Sequence, residues 1–525
     1  MKLLRRLLPF VVILLAALLL VYLPDMAPER YGDLESFFAG EMQRQGLIGL
    51  TAASVRYGKP DMALALGTDA RGIPLEPFTP MAIGQLGEAI TGTLARIAER
   101  EKRLDPAKPL AFYVPELELR KDKTKAAGSA FTPTVRDFLA HASGYQDLDS
   151  TDQQGAPPNL AGVASRLTAG PDDGWTVRIA SPAGILPGQS LGFGLGRGFD
   201  SGYDAIGLAL ERSMKLPFAE LVTKRVFKPL KMAQSDAQGG SEAKRIPQGS
   251  TAFFWTSIPR DQEIPSSHGP STSMISTAPD FARFMAALTA PGFGGTETFG
   301  PDITERISTP LVKGSPWAYG WKLRETKQGK ELRIDASLEG FTAVAAIWPD
   351  RQAGIVMMVP EGSVLLSWLI MPLMVDGARR ILLDESTEPP IPWGRCAILL
   401  AVIASIHAIV LTMGTGRALT WARALRGRAD ASGSSSPLRF ARLRCMTGIA
   451  IRLILLVAIP SVIGAYAGSG FNWALLLDRE PGLALWAMAA LGIGILRCVT
   501  RLSWLRKPPA KVGKMQSLLK ESTWT

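Results

Sequence analysis

The chain has 525 residues, room for two or three domains with a large core, and a net charge of +11. Its three cysteines, Cys396, Cys445 and Cys498, fall in or beside apolar segments. No disulfide framework therefore supports residues 25–390, which must fold by core burial alone. The basic residues cluster beside apolar runs without a folded basic frame, which excludes nucleic acid as the partner they serve.

In chain order, an apolar run over residues 7–23 follows Lys2, Arg5 and Arg6. No small-x-small cleavage site follows it, so residues 1–24 read as an uncleaved membrane anchor in preference to a signal segment. Residues 34–46 read as a modestly amphipathic helix. IGLTAASVRY and DMALALGT read as two strands joined by a Gly-Lys-Pro-Asp turn. From Gln85 to Leu104 the apolar residues Leu86, Ile90, Leu94 and Ile97 recur at helical spacing, the stripe of a buried helix. Residues 105–315 are loop-rich, with helices at TPTVRDFLAHA, SGYDAIGLALERSM and TAPDFARFMAALT. WAYGWKLRE, KELRIDA, FTAVAAIWP and AGIVMMVP then read as short strands, and a helix is expected over residues 363–383. Two early strands, a long helical insertion and a late strand set predict one antiparallel sheet built from both ends of a domain at residues 25–384.

A proline-rich linker at residues 385–392 leads into a membrane domain at residues 393–525, with apolar runs at 396–413, 453–468 and 482–496. The last two fall slightly short of the roughly 20 residues a crossing needs, and Arg452 and Arg497 extend them by snorkelling. Residues 417–445 carry seven arginines against Asp430, and the tail from Arg497 carries seven basic residues against Glu521. With the N-terminal three, these blocks hold more positive charge than the whole chain's +11, so the large domain is mildly acidic. Four crossings would place every basic block in the cytoplasm and residues 25–384 outside, in the periplasm of a bacterial inner-membrane protein.

Several segments, taken together and in this order, resemble the class C β-lactamase and penicillin-binding-protein-like serine hydrolase family. They are MAIGQLGEAITGTLARIAEREKRLDPAKPLAFYVPEL, TPTVRDFLAHASGYQD, LPGQSLGFGLGRGFDSGYDAIGLALE, RVFKPLKM, SMISTAPDFARF, AYGW and EGFTAVAAIWPD. The resemblance covers most of residues 34–384. It implies an α/β, β-lactamase-like fold, an antiparallel sheet flanked by helices with a helical subdomain, and no cofactor. An N-terminal apolar segment, an outward-facing domain and three C-terminal membrane helices resemble, in layout, the membrane-bound prodrug-activating D-amino peptidases of nonribosomal-peptide pathways. A peptide, a peptidoglycan fragment, a nonribosomal-peptide precursor or a membrane protein is then the expected partner.

The family's reagents are missing. Its first motif, roughly I-G-S-x-x-K-x-x-T, is matched by residues 83–91, where the serine position is Gln85 and the lysine position is Glu88. A nucleophile needs a hydroxyl and a base one helical turn away; an amide forms no ordinary acyl-enzyme, and Glu88 inverts the charge of the base. The Tyr-x-Asn motif corresponds to Phe193, Gly194 and Leu195, and the late-strand motif to Ile334, Asp335 and Ala336. Three coordinated losses point to a pseudoenzyme whose cleft is lined by Gln85, Glu88, Phe193, Ser273 and Ser337.

Other readings are weaker. An active hydrolase would need an unrecognised nucleophile at Ser271, Ser273, Ser276 or Ser337. A third reading makes the chain a membrane assembly or transport subunit with the outer domain as platform. Ser241-Glu-Ala-Lys244 lies in a Gly-rich loop, Ser517-Leu-Leu-Lys520 in the tail, and Lys327-Gln-Gly329 between two strands, where a hairpin explains it. His141 reads as a helix-end packing residue, His268 as exposed loop, and His407 as a packing group within an apolar span. No grouping has metal-ligand spacing. Glu88 reads either as a general base with a raised pKa or as an acid favoured by the helix dipole.

Overall fold

A computed structural model describes residues 31–115, 133–143, 201–237, 246–253, 256–261, 264, 269–289, 299–326, 329–363, 366–385, 393–432, 435–467, 473, 476–477 and 480–506. The chain divides into two compact units, residues 20–398 with 463–481, and residues 1–19, 399–462 and 482–525.

The larger unit holds a seven-stranded sheet. Its strands are β1 (Gly49–Arg56), β2 (Lys59–Gly67), β7 (Trp317–Ala318), β8 (Trp321–Thr326), β9 (Gly329–Leu338), β10 (Phe341–Trp348) and β11 (Ala353–Val359). The order is β2-β1-β11-β10-β9-β8-β7, and every pairing is antiparallel. The first strand hydrogen-bonds the last, so the sheet is closed from both ends of the domain as the strand pattern predicted. Two-stranded pieces pair β3 (Met81–Ala82) with β6 (Ile275–Ser276), and β4 (Ser250–Phe253) with β5 (Thr256–Pro259).

The helices are α1 (Leu34–Gln45), α2 (Leu86–Arg100), α3 (Val135–Leu139), α4 (Ser201–Met214), α5 (Phe218–Val222), α6 (Ala278–Thr289), α7 (Ile303–Ile307) and α8 (Met371–Leu382). They cover both faces of the sheet. Strand side chains alternate between faces. Ala53, Val55, Ala343, Ala345, Ile347, Val356 and Met358 pack in one core with α2, α4 and α6. Leu50, Ala52, Val344, Ala346, Ile355 and Met357 pack in a second core against Phe37 and Phe38 of α1 and Met374, Val375 and Ala378 of α8. That double cover explains why FTAVAAIW and AGIVMMV are apolar without alternation: all of β10 and β11 is buried.

Local signals set the boundaries. Asp33 and Ser36 form a reciprocal capping box at the start of α1, and Gly46 ends it in the left-handed region. The β1–β2 turn is Tyr57–Gly58, both at positive φ, because Lys59 and Pro60 already pair with β1. The turn therefore sits ahead of the expected Gly-Lys-Pro-Asp; proline is tolerated there because β2 is an edge strand. WAYGWKLRE is two strands, broken where Tyr319 and Gly320 take φ of 50° and 87°. The expected helix over 363–383 opens as a π-helical turn, Leu366–Ile370, before α8.

The second unit is helical. Helices α9 (Trp393–Gly416), α11 (Ser436–Ala467) and α12 (Pro481–Arg506) fall where three crossings were expected, and α10 (Ala418–Ser432) lies between the first two. Among the described residues, one helix is long and apolar enough to cross a membrane, over Pro481–Leu505; the bent pair Val402–Gly414 and Ala418–Ala429 raises this to two. Three spans were expected here; the described residues support one, or two if the bent pair is a single span. Most of the basic stretch between the first two is helix as well, because Ala, Leu and Arg are strong helix formers. The expected anchor at residues 1–24 lies outside the described residues, as does all but the first residue of the 385–392 linker.

Candidate functional site

The start of α2 is set by close packing. Gly84 has φ +53°, and a Cβ there would stand 3.0 Å from Ala336 Cβ. This turn delivers Gln85 to the N-cap of α2, where its side chain makes no cap bond. It crosses to the sheet instead: Gln85 Oε1 accepts the Ser337 N–H at 3.3 Å. That N–H is open to α2 because β8 pairs with β9 only as far as Arg333. A main-chain donor at a helix N-terminus is the device that stabilises an oxyanion in acyl transfer. Here an amide oxygen of the same chain takes it.

One turn on, Glu88 is 2 % exposed and its Oε2 lies 3.2 Å from His141 Nε2. His141 follows α3 at φ +49°. Its ring sits 4.5 Å from Trp317 and 5.1 Å from Tyr203, centroid to centroid. The corner before it is pinned from two sides: Tyr203 donates its hydroxyl to Leu139 O at 3.0 Å, and Ser315 donates to Ala140 O at 2.6 Å. Glu88 lies in the first turn of α2, where the helix dipole favours an acid, and it is a buried partner of an imidazole, not a base facing open water. His141 does end a helix and pack, as expected, but its contact with Glu88 was not legible. Removing each partner should show coupling. In a double-mutant cycle, His141→Ala and Glu88→Gln are expected to be non-additive by about 1–3 kcal/mol in unfolding free energy. Additive losses would mean that the two groups do not act as a pair.

The β7–β8 turn closes on the same helix. A Cβ on Gly92 would meet Tyr319 O at 2.2 Å, and one on Gly320 would meet Glu88 C and O at 2.5 Å. Tyr319 donates its hydroxyl to Glu99 Oε2 at 2.8 Å, and its burial, with Glu99 beside it, pushes the phenol well above its usual range. Beyond Trp317, Lys322 Nζ lies 5.7 Å from the indole ring. Burial, reinforced by Arg324 and Arg333, holds that ammonium below its ordinary range. Trp317 and Lys322 join this wall through strand pairing, a tertiary fact that a motif search does not see.

The remaining expected residues fall as follows. Ile334 and Ala336 are core residues, 1 % and 2 % exposed, and Asp335 accepts from Arg333 Nε at 2.9 Å. No polar group of the late-strand motif faces the helix. Ser337 reaches Gln85 only through its backbone. Alternation from Ala336 and Leu338, which touch Gly84, turns its hydroxyl to the opposite face, so its side chain leaves the list of cleft groups. Ser271, Ser273 and Ser276 are fully buried. Ser271 N donates to Asp204, and Ser276 Oγ bonds Ser235 Oγ at 2.8 Å, so these two serve the fold. His407 packs edge-on against Trp486. Thr326 pairs with Gly329, as the hairpin reading of Lys327-Gln-Gly329 requires. Phe193, Leu195, Ser241, Lys244, His268, Ser517 and Lys520 lie outside the described residues.

A helix-flanked antiparallel sheet, with a helix N-terminus set against an open strand edge, is the architecture of penicillin-recognising serine hydrolases. The family model described as Beta-lactamase matches residues 34–361, and the chain belongs to that family. The fold is similar to that of the octameric penicillin-binding protein homologue from Pyrococcus abyssi (TM-score 0.54, 18 % identity, 68 % of this chain and 78 % of that one). It is also similar to a solved structure named SurE (TM-score 0.52, 18 % identity, 68 % and 77 %). A D-alanine carboxypeptidase AmpC from Burkholderia cenocepacia aligns at TM-score 0.49 and 19 % identity, over 66 % and 97 %. These likenesses concern the fold. No curated protein matches the chain.

Proposed function

We propose that this β-lactamase-family domain has given up acyl transfer and holds its cleft for a peptide-like ligand or partner, displayed outside a bacterial inner membrane. One observation carries the reading: at the two positions where the family keeps nucleophile and base, Gln85 occupies the Ser337 N–H and Glu88 is held by His141. Loss of such a nucleophile costs a serine hydrolase on the order of a millionfold in turnover. A substituted nucleophile is disfavoured by the burial of Ser271, Ser273 and Ser276, and by Ser337, itself buried, turning its hydroxyl to the sheet face away from α2. The peptide-like ligand follows from the family's substrates and from the layout shared with membrane-bound D-amino peptidases. The membrane placement is supported by the apolar α12, and the four-crossing layout read from the sequence would put every basic block on one side.

The full chain purified in detergent is expected to remain unlabelled by a fluorescent penicillin and by a fluorophosphonate, while binding soluble peptidoglycan fragments saturably in calorimetry. A covalent adduct mapped by mass spectrometry to any residue of the cleft would overturn the silent reading. Absence of binding would remove the ligand while leaving the loss of chemistry intact.

A further inference from the structure

The helical unit carries a charge arrangement that the proposed function does not use. Asp430 is the only acidic residue in 399–462 or 482–506, against eleven arginines. Several arginines are satisfied within the unit. Arg426 donates to Trp504 O at 3.1 Å and Arg442 donates to Leu505 O, closing the C-terminal end of α12. Arg423 lies over the Trp504 ring and Arg501 over the Trp421 ring, each at 4.5 Å. Arg452 donates to Gly448 O at 2.9 Å and lies against Gly494.

These contacts, with Arg497 lying against Gly414, gather the C-terminal end of α9, the first part of α10, the start of α11 and the end of α12. Four further arginines stand exposed around it: Arg417, Arg428, Arg439 and Arg444. Among the described residues none of these four has an ion-pair partner. Interleaved with them on α11 are exposed apolar side chains, Phe440 at 69 %, Leu443 at 59 % and Met446 at 51 %, and Trp421 is exposed on α10. The apolar exposure continues along α11 through Ile451, Ile454 and Val457, and along α12 through Leu496 and Val499. Large exposed apolar faces are unusual on a surface that meets only water. A guanidinium fork matches two oxygens of a phosphate, and apolar neighbours at its base match the acyl chains below one.

We propose that this collar is a binding surface for anionic phospholipid, its exposed guanidinia taking the headgroup phosphates and Phe440, Leu443 and Met446 the adjoining acyl chains. The proposal rests on the membrane placement given above and goes beyond it: it requires preference for anionic headgroups, which an apolar anchor alone does not need. Each arginine near such a surface contributes about a fivefold preference, the equivalent of about 1 kcal/mol.

The full chain should be incorporated into nanodiscs of phosphatidylcholine with and without phosphatidylglycerol, and compared with the variant Arg428→Gln, Arg439→Gln, Arg444→Gln. Native mass spectrometry after detergent release is expected to show phosphatidylglycerol retained over phosphatidylcholine. The triple variant should lose about a hundredfold of that preference while still entering the bilayer. Equal retention of both lipids by the wild type, or unchanged preference in the variant, overturns the proposal. Displacement by soluble glycerol phosphate at equal concentration also overturns it, since a free phosphate would then be the occupant. A chain that enters neither bilayer overturns the membrane placement itself, a result separate from loss of lipid selectivity.

Discussion

Gly92→Ala should destabilise the sheet domain by about 3 kcal/mol or more, although alanine is the better helix former by about 1 kcal/mol. The sign is decided by what surrounds the added methyl. At Gly92 it would stand 2.2 Å from Tyr319 O and 2.4 Å from Tyr319 C, main-chain atoms of a turn that cannot rotate away. The turn is fixed in its own right, by the positive φ of Tyr319 and Gly320 and by the Tyr319 hydroxyl on Glu99. Relief would require α2 to lift off, carrying Gln85 and Glu88 from Ser337 and His141. Gly492→Ala on α12 is the control. Nothing lies within 4 Å of its added Cβ, so the substitution should be neutral or stabilise by up to about 1 kcal/mol. Thermal unfolding of the full chain in detergent, followed by tryptophan fluorescence, separates the two. Equal midpoints for Gly92→Ala and wild type would mean that helix and turn are not in main-chain contact.

Asp69→Ala is expected to cost about 3 kcal/mol, because this buried carboxylate gathers three main-chain N–H groups of a loop and a guanidinium that would lose their acceptor. Its Oδ1 accepts the Arg71 and Ile73 N–H groups at 2.8 and 2.9 Å, and its Oδ2 accepts the Gln248 N–H at 3.1 Å and the Arg71 guanidinium. Asp69 thereby ties the segment after β2 to the segment before β4. Burial alone would raise its pKa, but the N–H groups of Ile73, Gln248 and Arg71 outweigh burial and hold it below the usual range. A depressed carboxylate stabilises the fold above its unfolded value and loses that contribution as pH falls through the folded one. The stability gap between wild type and Asp69→Asn should therefore be constant above about pH 4 and close progressively below it. A gap that persisted unchanged under acid would show that the charge of Asp69 is not what holds the loop.

The sheet was readable because its determinants are local. Alternating or continuous apolar runs bounded by turns marked β1, β2 and β8 to β11, and helical spacing from Leu86 to Ile97 marked α2. Errors came where backbone conformation overrode composition. Tyr57 and Tyr319 adopt positive φ, uncommon for residues with a side chain, so one turn was misplaced and two strands were read as one.

The candidate site divides in the same way. Residue identity at positions 85 and 88 settled from sequence that no hydroxyl and no amine stands at the head of α2. What those two side chains meet was decided only by tertiary structure. The Ser337 N–H is free to meet Gln85 because β8 stops pairing at Arg333, and His141 reaches Glu88 because Tyr203 and Ser315 fix the corner before it. Spacing along a chain encodes which groups share one helix face or strand face. It carries no information about contacts between elements far apart in sequence, which depend on how complete helices and strands pack.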